Sequence, residues 1–107
     1  MSSFTLSAGG DAARRVLSVR GEVDVAAAQP LADAGLSGLA DPSVTALVVD
    51  LSGVTFMDSS GLAALIKIRN ASLELNKALS LRGVDGPSAN LLRLTALEAF
   101  FPLEAES

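Results

Sequence analysis

The run Asp58-Ser59-Ser60-Gly61 contains the residues of this 107-residue sequence whose types and spacing could do chemistry. It follows the apolar stretch 44–51 and opens a segment with helical apolar spacing, so Asp58 is predicted to cap a helix. The first amides of a helix lack partners within the helix and carry partial positive charge, which favours a nearby phosphate. The sequence therefore predicts two hydroxyls, Ser59 and Ser60, at an exposed helix start where a phosphate would be well held.

The same serines have a structural interpretation, because Ser beside Asp commonly satisfies the free amides of a helix start. In the functional interpretation a kinase phosphorylates Ser59, adding a charge of about −1.5 to −2 and three acceptor oxygens. The helix would stabilise that charge by ~0.3 to 1 kcal/mol, while Asp58 and Asp24 oppose it, so the fold itself should change little. A partner docked on Met57, Leu62 and their neighbours would respond far more, since the dianion must lose its water.

Catalysis by this serine pair is poorly supported. The chain has no histidine and no cysteine, which excludes imidazole bases, Ser-His-Asp triads and thiolate chemistry. Asp58 is the only ionisable residue adjacent to the serines, and no phosphate-binding glycine loop is present. We expect no enzyme activity, no metal and no cofactor.

Asp50 offers an alternative, because phosphoacceptor aspartates of receiver domains also lie near the end of a central strand. A receiver domain needs an acidic pair after its first strand to hold Mg²⁺. Only Asp11 is acidic in the segment that follows Leu6. We therefore favour a structural role for Asp50, with its carboxylate bonded to turn amides.

The composition of the chain argues against nucleic acid and membranes as partners. The formal charge is −4, the basic residues are scattered, and four Phe are the only aromatic residues, so nucleic-acid binding is not expected. The N-terminus lacks the features of a signal peptide, and no window approaches the ~20 apolar residues that span a bilayer. Together with the absence of cysteine, this predicts a cytoplasmic protein with no membrane partner.

The pattern along the chain predicts one α/β domain over residues 1–107. An N-terminal β-hairpin turns at Gly9-Gly10-Asp11, and Asp24 caps a first helix in which Pro30 would cause a kink or a later start. A central strand spans 44–51, Ser52-Gly53 is a turn, and 54–57 is extended.

A second helix then runs from Asp58 to about Leu75, with an apolar arc wide enough for packing between neighbours or for binding a partner. A fourth strand follows at 78–82 and a last helix starts near Pro87. Residues 100–103 form a short final strand or pack the end. The predicted fold is a mixed four- to five-stranded sheet with βαβ crossovers and three to four helices.

Four runs of the sequence resemble the STAS-domain anti-sigma factor antagonists over nearly the whole chain. They are Gly21-Glu22-Val23-Asp24, the strand segment 47–51, Phe56-Met57-Asp58-Ser59-Ser60-Gly61-Leu62, and the leucine-rich segment 91–97. The third run is the specific one. The departures are Ala96, where the family often has Gly, and Val25-Ala26-Ala27-Ala28, where more polar residues are usual.

The resemblance implies that Ser59 is the phosphoacceptor, with Ser60 as second choice, and that an anti-sigma factor with serine-kinase activity is both partner and kinase. The unphosphorylated protein would sequester that kinase and free a sigma factor, and a metal-dependent serine phosphatase would reset the switch. ATP would belong to the kinase, and the protein would be a monomer or a weak dimer. The residues expected to bind the partner are Asp24, Met57, Asp58, Ser59, Ser60, Gly61 and Leu62.

A second function stays open on the same resemblance. STAS domains also serve as transporter tails, stress-complex scaffolds and lipid-transport accessories, so the chain could be a constitutive interaction subunit without a phospho-switch. Whether Ser59 is ever phosphorylated separates the two hypotheses.

Overall fold

A computed structural model describes residues 3–84, 86 and 103–104. The elements run in the order β1 (Phe4–Gly10), β2 (Arg14–Val23), α1 (Val25–Ala40), β3 (Ala46–Met57), α2 (Ser59–Glu74), β4 (Ala78–Arg82) and β5 (Leu103–Glu104). The five strands form one sheet in the order β1-β2-β3-β4-β5. The predicted mixed sheet is confirmed, since β1 pairs antiparallel with β2 and the other pairs are parallel.

The predicted N-terminal hairpin is confirmed, although its turn lies later in the sequence than expected. β1 extends through Gly10, which lies opposite Arg15, so the chain reverses after Gly10 rather than at Gly9. The Asp11 carboxylate closes the turn by accepting bonds from the amides of Ala13 at 2.9 Å and Arg14 at 2.7 Å. Short acidic side chains favour turns because they bond to backbone amides two or three residues on.

The two helices cross over between parallel strands and pack against each other. Their apolar faces form one core with the inward side chains of β2, β3 and β4, including Leu31, Leu47 and Ile68. Gly35 makes the close approach of the helices feasible, because a Cβ there would lie 2.5 Å from the Ile68 side chain. Most of the wide apolar arc of α2 therefore serves the core, while Leu73 near its end remains 60% exposed.

β3 is one strand of 12 residues, so the predicted end at Leu51 and the turn at Ser52-Gly53 are wrong. The chain stays extended through Met57, and its pairing with β2 shifts register twice, once between Asp50 and Gly53 and once between Val54 and Phe56. Each shift places one extra residue on β3, as in a β-bulge. Asp50 accordingly lies within the strand, where its carboxylate accepts a bond from the Ser52 amide at 2.9 Å.

Pro30 neither delays nor ends α1, which starts directly after the Asp24 cap and contains Pro30. Proline has no amide hydrogen for the helix ladder. Pro30 is exposed, so water can bond to the carbonyl that loses its partner.

The described residues contain two helices, fewer than the three to four predicted. The predicted last helix beginning near Pro87 lies outside the described residues. Leu103–Glu104 pairs parallel with β4, which favours the strand alternative for the end of the predicted 100–103 segment.

Asn76 ends α2 in a left-handed conformation, with φ +55°. The Lys77 amide donates to the Ser72 carbonyl at 2.9 Å and the Asn76 amide to the Leu73 carbonyl at 3.3 Å, the bonds of a Schellman motif. We expect Asn76→Ala to lower the free energy of unfolding by about 1 kcal/mol, because alanine lacks the polar side chain whose local hydrogen bonds let asparagine tolerate the left-handed conformation. Urea denaturation of the variant and the wild type measures this difference in the free energy of unfolding. Asn76→Gly is the control and should be at least as stable as the wild type; equal losses in both variants would contradict the explanation.

Asp41 anchors the end of α1. Its carboxylate accepts bonds from the Ser43 amide at 2.9 Å, the Ser43 hydroxyl at 2.8 Å and the Arg15 guanidinium on β2 at 3.0 Å. The bonds from Ser43, followed by Arg15, hold the pKa of Asp41 below its ordinary value of 3.8. Lys77 also donates to the Leu39 and Asp41 carbonyls, at 2.5 and 2.8 Å.

The lowered pKa of Asp41 predicts a pH-dependent contribution to stability. The folded state favours the ionised carboxylate, so the contribution is complete above pH 3.8 and is lost as pH falls through the lower folded pKa. We expect Asp41→Asn to be less stable than the wild type near neutrality and the difference to shrink in acid. Urea midpoints over a pH series measure this. Ser43→Ala, which removes one donor, should reduce the pH dependence, and a difference that stays constant with pH would contradict the assignment.

Candidate functional site at two adjacent helix starts

The starts of α1 and α2 lie side by side at the carboxyl ends of β2 and β3. Val23 lies opposite Met57 in the parallel register, and each helix begins two residues after these positions. The Asp58 amide donates to the Val23 carbonyl at 3.3 Å. The fold thus brings together Asp24 and the run 57–62, which are far apart in the sequence.

Both aspartates cap their helices, as the sequence predicted. Asp24 Oδ1 accepts from the amides of Ala26 at 3.0 Å and Ala27 at 3.2 Å. Asp58 Oδ1 accepts from the amides of Ser60 at 2.9 Å and Gly61 at 3.4 Å. Two carboxylates therefore occupy the positive ends of two neighbouring helices.

The two candidate hydroxyl residues differ in exposure. Ser59 is the first residue of α2 and is exposed, whereas Ser60 is half-buried. Because Ser60 is half-buried, its side chain is less open to an incoming enzyme. The geometry favours Ser59 over Ser60 as the group that a modifying enzyme could reach.

Three of the residues predicted to bind a partner lie beneath the surface. Met57 and Leu62 are 6% and 5% exposed, and Gly61 is buried. A Cβ on Gly61 would lie 2.7 Å from Val23 Cγ1 and 3.1 Å from the Val23 carbonyl oxygen. These residues pack the start of α2 against β2, and the solvent-accessible surface of the site consists of other side chains.

Two exposed apolar residues near the helix starts were not among the site residues predicted from the sequence. Val25, the first residue of α1, is 76% exposed, and Phe56 near the end of β3 is 47% exposed. Phe56 directly precedes buried Met57, and Val25 follows the Asp24 cap ahead of buried Ala27. Strand alternation and the position of Val25 off the apolar stripe were the signals that could have identified both.

A groove of about 240 Å³ lies between α1 and α2 next to Ser60. Alanines on both helices leave this space because their side chains end at Cβ. Its lining residues are Ala28, Gln29, Ala32, Ser60, Ala63, Ala64 and Lys67. The groove adds a shallow, mostly apolar surface with one cationic side chain to the site.

The chemical group that stands open at this edge is the side-chain hydroxyl of Ser59, at the exposed first residue of α2. Over residues 3–84, 86 and 103–104, no group of three acidic, histidine or cysteine side chains could hold a metal ion. Across the same residues, no helix has both the length and the apolar character to cross a membrane.

The chain belongs to the STAS domain family, because the family model described as "Mlab, STAS domain" matches residues 6–103. It is similar to the crystal structure of an anti-sigma factor antagonist from Mycobacterium paratuberculosis, with 31% identity and a TM-score of 0.82 over 97% of this chain and 87% of that chain.

Two structures of SpoIIAA show the same fold. The unphosphorylated form of this anti-sigma factor antagonist shares 18% identity and a TM-score of 0.73, covering 98% of this chain and 90% of that chain. The phosphorylated form of the Bacillus protein gives 17% identity and a TM-score of 0.72, covering 97% and 93%. Identity this low shows the fold alone.

Proposed function

We propose that this protein is an anti-sigma factor antagonist that is active when Ser59 is unmodified and inactive when Ser59 is phosphorylated. The observation that carries the proposal is the exposed position of Ser59 at the first residue of α2, next to two aspartate-capped helix starts. The 31% identity to the Mycobacterium paratuberculosis antagonist supports it.

The partner that fits this site is an anti-sigma factor with serine-kinase activity. It would dock over Ser59 with exposed Val25 and Phe56 supplying apolar contact beside the hydroxyl. Binding would sequester the anti-sigma factor and free a sigma factor. The kinase supplies ATP, a metal-dependent serine phosphatase removes the phosphate, and the chain itself is a cytoplasmic regulator rather than an enzyme.

The proposed switch depends on which hydrogen-bond donors are available to a phosphate on Ser59. The Asp58 carboxylate already accepts from the amides of Ser60 and Gly61, so those donors are occupied. The new dianion would also lie beside the Asp58 carboxylate, which repels it. It would therefore face the partner surface and oppose docking, and a change from 99:1 to 1:99 bound requires about 5.5 kcal/mol.

The second candidate is a constitutive STAS interaction subunit of a stress complex, a transporter or a lipid-transport system. The "Mlab, STAS domain" description of the matching family model is the observation that favours it. Such a subunit would use the same exposed edge without any modification of Ser59.

Affinity purification from the native cell tests the proposal, using tagged wild type and Ser59→Ala followed by identification of bound proteins and intact-mass spectrometry. We expect a phosphorylated fraction of the wild type, no phosphate on Ser59→Ala, and a bound serine kinase on the unmodified protein. If both forms bind the same partners and phosphate is absent under every growth condition, the protein is the constitutive subunit.

A further inference from the structure

Among the described residues, no strand pairs with the outer edge of β1, and β1 lacks the features that usually protect such an edge. β1 lies at one end of the strand order and pairs with β2 along its other side. Its sequence, Phe-Thr-Leu-Ser-Ala-Gly-Gly, contains no charged residue and no proline. Its pairing with β2 has no register shift. Natural proteins usually blunt such an edge with charge, proline or a bulge, since an open edge recruits another strand.

The bonding pattern identifies which residues of β1 present free backbone groups. The Glu22 amide donates to the Ser3 carbonyl, and the Asp11 amide to the Arg14 carbonyl, so odd-numbered residues face β2. Bonding directions alternate along an antiparallel pair. The amides and carbonyls of Phe4, Leu6 and Ala8 therefore point outward, and the residues from Ser7 to Gly10 are exposed.

We propose that the outer edge of β1 pairs antiparallel with β1 of a second copy of this chain, with the two Ser7 residues opposite each other on a two-fold axis. Ser7 is the central residue of the seven-residue strand, so this register aligns the two strands over their full length. It also pairs outward-facing residues with outward-facing residues, because residues related by the axis have numbers of the same parity.

The order of side-chain sizes in β1 is self-complementary in this register. Leu6 faces the second copy's Ala8, and Phe4 faces its Gly10, so each large side chain lies opposite a small residue. An aromatic side chain that covers a glycine on the facing strand stabilises a sheet edge. Phe4 and Leu6 already pack against the core, so pairing extends that apolar face across the axis. Gly10 has φ +86°, which departs from strand geometry. The register is therefore set by the central residues of β1, residues 5–9.

No charged side chain of β1 opposes this pairing. The net charge of −4 arises elsewhere in the sequence, and interactions beyond the Debye length of about 10 Å at 0.1 M salt are largely screened. The two-fold axis places the two Ser59 sites at opposite ends of the joined sheet, so dimer formation and the Ser59 switch can be tested separately.

Light scattering during size exclusion, over a wide range of protein concentration, tests the dimer. The wild-type mass should rise from 10.9 kDa towards twice that value. Ser7→Lys and Ser7→Glu should each weaken dimerisation roughly fivefold or more, because like charges would face each other across the axis. An equimolar mixture of the two variants should restore it. Ser37→Lys, at an exposed position on α1, is the matched control and should dimerise like the wild type.

Amide hydrogen exchange on the wild type tests the register without a substitution. Raising the protein concentration should slow exchange at Leu6 and Ala8, whose amides face outward, and leave Thr5 and Ser7 unchanged. A wild type that stays monomeric at all concentrations overturns the proposal, as does unchanged dimerisation of Ser7→Lys. Failure of the mixed variants to pair overturns the register centred on Ser7.

Discussion

Ser59→Glu is expected to weaken binding of the proposed partner, an anti-sigma factor with serine-kinase activity, at least about a hundredfold. A carboxylate buried at an interface without a partner costs about 3–5 kcal/mol, and the donors nearest to it, the Ser60 and Gly61 amides, are held by Asp58. The stability of the protein alone should change by less than about 0.5 kcal/mol, since Ser59 is exposed and surface substitutions have small effects. Titration calorimetry with the purified kinase measures the affinity, and urea denaturation measures the stability.

The controls for this prediction separate charge from position. Ser59→Ala should bind like the unmodified wild type, because it removes the hydroxyl without adding charge. Ser37→Glu adds the same charge at an exposed serine near the other end of α1 and should bind normally. If Ser59→Glu and Ser37→Glu weaken binding equally, general electrostatic repulsion explains the effect and Ser59 has no special position.

Gly61→Ala is expected to destabilise the fold by about 1–2 kcal/mol, although alanine is the better helix former. The new Cβ would lie 2.7 Å from Val23 Cγ1, 2.9 Å from Met57 Cγ and 3.1 Å from the Val23 carbonyl. Overpacking of this kind typically costs about 1–3 kcal/mol, while the gain in helix propensity is less than about 1 kcal/mol. Urea denaturation would measure the loss. Kinase binding should also weaken, because the start of α2 must move away from β2 and carries Ser59 with it.

Gly38→Ala is the matched control on the other helix. A Cβ at this buried position would have its closest contacts at 3.6 Å, to Arg15 Cδ and Leu47 Cδ1, an ordinary packing distance. We expect this variant to be more stable than the wild type by about 0.5–1 kcal/mol and to bind the kinase normally. If both glycine variants were more stable than the wild type, a Cβ would fit at Gly61. The close approach of α2 to β2 would then not explain the position of Ser59.

Local patterns predicted much of this fold correctly. The caps at Asp24 and Asp58, the hairpin, the helix of residues 59–74 and strand β4 each depend on residues close together in the sequence. The error in β3 occurred where pairing with another strand overrides local signals. Ser52-Gly53 reads as a turn in isolation, yet the ladder to β2 keeps the chain extended there and absorbs the extra residues as bulges.

The candidate site, like the fold, was predicted only in part from the sequence. The sequence by itself determined the chemistry of the run Asp58-Ser59-Ser60-Gly61, because a capping aspartate and the following hydroxyl are placed by the local geometry of a helix start. Only the tertiary structure decided which neighbours share the surface. The parallel register of β2 and β3 sets Asp24 beside Asp58, exposes Val25 and Phe56, and buries Met57 and Leu62. Local alternation indicates which way a side chain points, but the depth of its burial depends on contacts between residues distant in sequence.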